Sequence, residues 1–375
     1  MGWQIPALLS YKKIKRPSIV FGVIALIVLI AVAFTLTVFL FTNEDTSLFW
    51  FYAIVLPLLI WLVGFSCRLS KYIYSLGYNE ELKKQNQHTT QTWQHWSKKQ
   101  IPVYGSYFIS AEDDGIKALT GDVSKIPLFP EKARPLFNPL SSTKPFWFLD
   151  DVMSNLEKQA PNYRKYLTHI YLPDELMADN QLIDAIFSHW NLKPEPIDDY
   201  DALMTMLYDD GDTLALSLLL VCQYSDKAYR QHSKFISAML IGDNSYHQQL
   251  PIKSWLGRLM MSDEVDLSAD IEQLFSYNQQ VPEKVKAIWL SGLDKKNGLA
   301  LAMQRHKLGI AIETDGDNNV VHDIDLTFAK PTNLSQYLLL TMANCYANEQ
   351  FTLQLAVSQS KQQLCLQLIS PTQLV

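Results

Sequence analysis

Residues 213–224 read TLALSLLLVCQY, a nearly unbroken apolar run with no period of two or of 3.6. A strand with one solvated face alternates. This one does not, so the run fits a strand buried on both faces, in a sheet covered by helices on each side. Around it strands and helices alternate. The sequence predicts helices over 146–159, 180–190, 199–208, 297–306 and 334–347, and strands over 103–110, 167–172, 235–241, 255–261 and 287–293. It closes on a hairpin, 351–357 with 364–370. Its strands place Phe351, Leu353, Leu355 and Val357 on one face, and Leu364, Leu366 and Leu368 on the matching one. The fold class is α/β, a mixed sheet layered with helices.

The 375 residues are 48% hydrophobic and 19% charged, too apolar for a disordered chain and too polar for a polytopic transporter. The net charge of −6 is unevenly spread. Residues 1–100 hold ten Lys and Arg against four acids, and the remainder holds 22 against 34. An acidic domain repels phosphate backbones, which excludes nucleic acid as a partner. Cys67, Cys222, Cys345 and Cys365 lie far apart and form no CxxC pair, which excludes a disulfide scaffold and a zinc ribbon.

Residues 19–42 run 24 positions without a charge and residues 48–65 run 18, where roughly 20 cross the hydrocarbon core as a helix. Five residues separate them, so the expectation is an N-terminal transmembrane helical hairpin, with Pro57 kinking its second arm. Lys12, Lys13, Lys15 and Arg16 precede the first span, and Arg68, Lys71, Lys83 and Lys84 follow the second. The turn carries only acids. The positive-inside rule then places both ends in the cytoplasm of a bacterial inner-membrane protein. Trp50, with Phe51 and Tyr52, marks the outer interface, and Trp61 anchors the second arm from within. The expected organisation is a basic N-terminus over 1–18, the hairpin over 19–66, a helical stalk over 67–100 and an α/β domain over 101–375. A soft boundary falls in the proline-rich 126–145. Trp93 and Trp96, three apart, share one side of the stalk and are expected to dock it on the domain.

The order LTHIYLP (167–173), LALSLLLVCQYSD (214–226), FISAMLIGD (235–243), AIWLSGL (287–293), the helix from Leu334 and the hairpin LQLAV…CLQLIS resembles the thiolase and β-ketoacyl synthase fold. The resemblance covers about half the chain and rests on element order. It implies an internally duplicated α/β/α/β/α core. It also implies a nucleophilic cysteine opening a buried helix, and two histidines, or a histidine and an asparagine, in Gly-rich loops. This chain departs at each place. AIWLSGLDKKNG has no histidine, Pro331-Thr332-Asn333 precedes the Leu334 helix, and Cys222 lies near a strand end. A core kept without its chemistry implies a binding scaffold.

The remaining motifs are weak. Asp315-Gly316-Asp317-Asn318-Asn319 has carboxylate and amide oxygens for calcium. Its sixth and twelfth positions, however, are Val320 and Leu326 instead of Gly and Glu, so it reads as a turn. In VVHDIDL, alternation sets His322 opposite Asp323 and Asp325, as an edge-strand histidine. His169 and His189 read as packing at the core margin. HExxH, GxSxG, P-loop and GxGxxG are absent, and nothing calls for a metal or cofactor. Glu195, Asp198, Asp199, Asp201, Asp209, Asp210 and Asp212 crowd one stretch, a negative field suited to a basic protein partner.

The sequence therefore predicts a non-enzymatic, membrane-anchored adaptor that binds a protein partner, as in a bacterial secretion system such as type VI. Two alternatives stay open. One is an acyl-transfer enzyme using Cys222 or Cys345, the other a membrane immunity protein against a secreted toxin.

Overall fold

The computed structural model describes residues 2–40, 46–113, 115–120, 126–137, 145–209, 215–224, 232–263, 266–310, 320–329, 332–360 and 363–374. The Asp315–Asn319 turn, Asp210 and Asp212 lie outside them. The chain divides into a helical unit, Pro6–Thr92, and an α/β unit made of Met1–Ile5 with Trp93–Val375.

In the helical unit α1 spans Ile19–Leu40 and α2 spans Leu56–Ser97, the last turns of α2 belonging to the α/β unit. Ile19–Phe39, and Thr46–Ser97 in which helical turns lead into α2, are long and apolar enough to cross a membrane, and only 6% and 11% of their most apolar windows are buried. A core helix of a soluble protein would bury most of that surface. Pro57 has no N–H for the carbonyl four residues back, and a π turn, Phe51–Val55, sits just ahead of it and absorbs the lost bond. The helices touch where Trp61 Nε1 donates to the Gly22 carbonyl at 2.8 Å and stacks on Phe65. A Cβ at Gly22 would meet the Phe65 ring at 3.2 Å, a tight contact to which the ring would have to yield. Further along α2, Asn79 and Asn86 stand two turns apart. Each exchanges two hydrogen bonds with the main chain of an extended N-terminal residue, Lys12 at 3.0 and 2.8 Å and Leu9 at 2.9 Å twice.

The α/β unit runs β1 (Ile101–Ile109), α3 (Trp147–Gln159), β2 (His169–Pro173), α4 (Asn180–Trp190), β3 (Glu195–Ile197), α5 (Tyr200–Asp209), β4 (Ser217–Gln223) and β5 (Phe235–Ile241). It then repeats the pattern. β6 (Ser254–Leu256) and β7 (Met260–Ser262) lead to α6 (Leu267–Tyr277), β8 (Val285–Ser291), α7 (Lys295–Leu308), β9 (Val320–Asp323), α8 (Ser335–Gln350), β10 (Leu353–Ser360) and β11 (Gln363–Ser370). The sheet order is β3-β2-β4-β5-β1-β6-β11-β10-β8-β9, with β7 on β11. The halves share a plan: β3, β2 and β4 are parallel neighbours with β5 antiparallel to β4, and β9, β8 and β10 are parallel neighbours with β11 antiparallel to β10. The unit is internally duplicated.

Three cores separate the layers. α5 and α8 lie in the central one, α3 and α4 in the second, α6 and α7 in the third. This explains TLALSLLLVCQY. Leu218, Leu220 and Cys222 of β4 face the α3–α4 core while Leu219 and Val221 face the central one, so neither face meets water. α8 is buried along nearly all of its length, its polar residues Thr341 and Asn344 included. Local signals set the ends of α4. Asp179 accepts hydrogen bonds from the N–H groups of Gln181 and Leu182, and Asn191 closes the helix at φ 58°.

Three expectations are corrected. The strand over 255–261 is two short strands, because Gly257 N–H bonds to Leu368 O at 2.8 Å and a Cβ there would stand 2.9 Å from that oxygen. Phe351 is no strand residue: it terminates α8 at φ 56° and is exposed. The terminal hairpin has no solvated face. Gln354 and Gln367, on the side that alternation gives to water, are buried and satisfied, by Trp289 Nε1 and Thr352 for the first and Tyr200 OH and the Gly257 carbonyl for the second.

Candidate functional site

β2 and β3 are parallel neighbours at one end of the strand order and β8 lies near the other, yet residues that follow all three line one cleft, as at the strand ends of open α/β sheets. A cavity of about 390 Å³ opens there. Asp174 and Glu175 enter it after β2, Asp198, Asp199 and Tyr200 after β3, and Ser291 and Gly292 after β8. Thr332, Asn333, Gln336 and Tyr337 enter from the start of α8, Gln359 and Ser360 from the end of β10. The two segments that the resemblance marked for histidines, after AIWLSGL and ahead of the Leu334 helix, thus meet in one cleft. The helix that opens onto it from the first half, α5, begins with Tyr200. Neither thiol nor imidazole lines the cavity among the described residues.

Four carboxylates and no cation line it among those residues. Burial raises the Tyr337 hydroxyl above its ordinary value, and the charges of Asp199, Asp201 and Glu175 add to the effect. The walls are tied down by side chains. Asn333 Nδ2 donates to Glu175 at 3.4 Å, Thr332 Oγ1 to Gln223 at 2.8 Å, and Gln336 Nε2 to the Gln359 carbonyl at 3.2 Å. Beneath Ser291 and Gly292, Asp325 accepts from Ser291 Oγ at 3.0 Å and from Gly292 N at 2.6 Å.

Among the described residues of the acidic stretch, Asp198 and Asp199 enter the cleft, Glu195 pairs with His169 at 2.8 Å, and Asp201 lies 3.9 Å from the buried Cys365. Asp209 ends α5. Asp174 and Glu175 escaped sequence reasoning; their signal was two acids directly after a strand of the parallel set. His189 bonds to Asp150 at 3.0 Å and to the Ala185 carbonyl at 2.7 Å. Among the described residues no group of three or more His, Cys, Asp and Glu is placed to hold a metal.

The cysteines lie elsewhere. Cys67 is on α2, Cys222 on β4 facing the α3–α4 core, and Cys365 on β11. Cys345, in the middle of α8, lines a separate cavity of about 290 Å³ with Glu112, Asp113, Asp151 and Glu349. Burial, with Glu349 adding, pushes that thiol up to about 12, against the opposing bond from Ser106.

His322 lies on the edge strand β9 as expected, yet it is buried. It stacks on Trp289 at 4.2 Å and faces a cavity of about 260 Å³, while its Nε2 has no hydrogen-bond partner. Asp325 is not opposite it in a strand, because the chain turns into a short helix at Asp325–Phe328. Burial pushes the His322 imidazole from 6.5 down to about 4 and the Asp325 carboxyl from 3.8 up to about 6. Their linkages to stability oppose one another. The His322 contribution is complete above pH 6.5 and is lost as pH falls to about 4. The Asp325 contribution is complete below pH 3.8 and is lost as pH rises through about 6. Each is worth on the order of 3 kcal/mol. In urea unfolding, His322→Phe should therefore gain about that much relative to the parent chain between pH 7 and 4. Asp325→Asn should gain a similar amount in the reverse direction. Differences that do not vary with pH would contradict both assignments.

No family model matches the chain, and no curated protein matches it. Solved structures do. A chain from the complex of a type II polyketide synthase acyl-carrier protein with its ketosynthase, bound to the hexaketide, superposes with a TM-score of 0.51 at 10% identity, over 73% of this chain and 100% of that one. The oxazolomycin ketosynthase domain of Streptomyces albus gives 0.48 at 9%, over 73% and 96%, and OleA of Xanthomonas campestris gives 0.46 at 8%, over 72% and 98%. The first likeness, with the duplicated strand order, fixes the architecture. The α/β unit has a thiolase/β-ketoacyl synthase-like fold.

Proposed function

We propose that this chain is a non-enzymatic, membrane-anchored accessory protein whose α/β unit receives a basic segment of a protein partner in the acidic cleft. The observation that carries the reading is the cleft itself: carboxylates, amides and hydroxyls stand where the resemblance calls for a thiol and imidazoles. Such a site has the field to hold a cation and, among the described residues, neither thiol nor imidazole to support acyl transfer. The anchor suits this task, because tethering raises the effective concentration of the domain near membrane partners. Both ends lie in the cytoplasm on this account. Two candidate spans in succession return the chain to the side it left. The flanking cations select the inner side. An envelope or secretion apparatus, type VI among them, is the setting this architecture suits.

The test is affinity capture from detergent extract with the hairpin intact, beside the double variant Asp198→Lys, Asp199→Lys. Proteins held by the cleft should fall about tenfold or more in the variant and leave the parent chain as salt rises. Equal recovery from both chains would remove the cleft from the account. A reporter fused after residue 100 should respond in the cytoplasm; a signal on the outer side alone would overturn the orientation.

Acyl transfer is the second reading, favoured by the fold alone. The thiol positions count against it.

A further inference from the structure

A further cavity, of about 520 Å³, lies in the helical unit between the segment ahead of α1 and the part of α2 that follows the apolar run. Lys13, Lys15, Arg16, Arg68 and Lys71 all line it. No acid does so among the described residues. All five are exposed, and together they set up a positive field that an anion between them would complement. The site is also built. Arg16 Nε donates to Tyr72 OH at 3.1 Å, and the Arg68 guanidinium lies 5.8 Å from the Phe21 ring centroid. The basic segment is held along α2 by the paired bonds of Asn79 and Asn86. Its depth is given by the sequence, because the cavity flanks the start of α1 at Ile19 and the end of the apolar run at Phe65. That is where a spanning hairpin meets phosphate headgroups.

We infer that this cavity binds the phosphoryl headgroup of one anionic phospholipid, with Arg16 and Arg68 as its principal ligands. Diffuse attraction of basic residues to an anionic leaflet depends on their number. A built site depends on their placement, and Tyr72 separates the two, because replacing it changes no charge.

The experiment is native mass spectrometry of the full chain in detergent, with added phosphatidylglycerol, phosphatidylcholine or glycerol 3-phosphate. One phosphatidylglycerol per chain should survive activation, and phosphatidylcholine should not. Occupancy should fall about fivefold or more in Arg16→Gln and in Tyr72→Phe, and should be unchanged in Lys84→Gln, which removes a cation outside the cavity. Helical circular dichroism equal to that of the parent chain confirms that each variant is folded. Equal occupancy in Tyr72→Phe and the parent chain, or equal retention of phosphatidylcholine, would overturn the site. Displacement of the lipid by equimolar glycerol 3-phosphate would overturn the lipid as its ligand.

Discussion

Trp3→Ala is expected to destabilise the α/β unit by about 3–5 kcal/mol. Trp3 lies far in sequence from the rest of that unit, yet it is buried in the core formed with Met260, Leu267 and Ile271. Its Nε1 donates to the Leu259 carbonyl at 3.0 Å, and its ring meets Trp96 edge to face at 5.4 Å. Trp96 in turn carries the Arg258 guanidinium at 4.1 Å. Truncation removes the buried ring, leaves a cavity and deprives the Leu259 carbonyl of a donor. Trp3→Phe should recover more than half of the loss, because it restores the apolar volume without the hydrogen bond. Urea unfolding followed by hydrogen exchange of β7 and α6 reads the effect where it acts. Unchanged protection of those elements in Trp3→Ala would detach the N-terminus from the α/β unit.

Native iodoacetamide labelling at pH 7.5 should leave Cys222, Cys345 and Cys365 nearly untouched. Burial pushes Cys345 and Cys365 up to about 12, with Glu349 adding for the first and Asp201 for the second, and raises Cys222 as well. An ordinary cysteine titrates near 8.5, so at neutral pH these carry roughly a thousandfold less thiolate, and only the thiolate attacks. In denaturant all should react at the ordinary rate. Peptide mass spectrometry after timed quenching gives both rates. A cysteine of the α/β unit that alkylates in the folded state as fast as in denaturant would mark an activated nucleophile.

The fold was legible where local chemistry agreed with global position. The expected bounds of α4 and β5 coincide with those observed, since Asp179 and Asn191 cap the first and a continuous apolar run defines the second. TLALSLLLVCQY disclosed helices on both sides of the sheet because burial on two faces leaves no place for polar residues. The same reasoning failed at the terminal hairpin. Alternation reports which residues share a face, and a satisfied buried glutamine looks in sequence like a solvated one. His322 failed for a related reason: its face was readable, its depth was not. The cleft was half legible. Element order marked two of its segments, whereas Asp174 and Glu175 meet Ser291 and Asn333 only through the duplicated topology, which brings together strand ends more than a hundred residues apart.

The claim at the centre is that a synthase-like fold here holds a partner and transfers nothing. Intact-mass analysis of the full chain after incubation with an acyl-thioester donor tests it most directly. The account predicts an unchanged protein mass and no donor consumption above the buffer rate. A mass increase of one acyl group, mapped to a cysteine of the α/β unit, would contradict it.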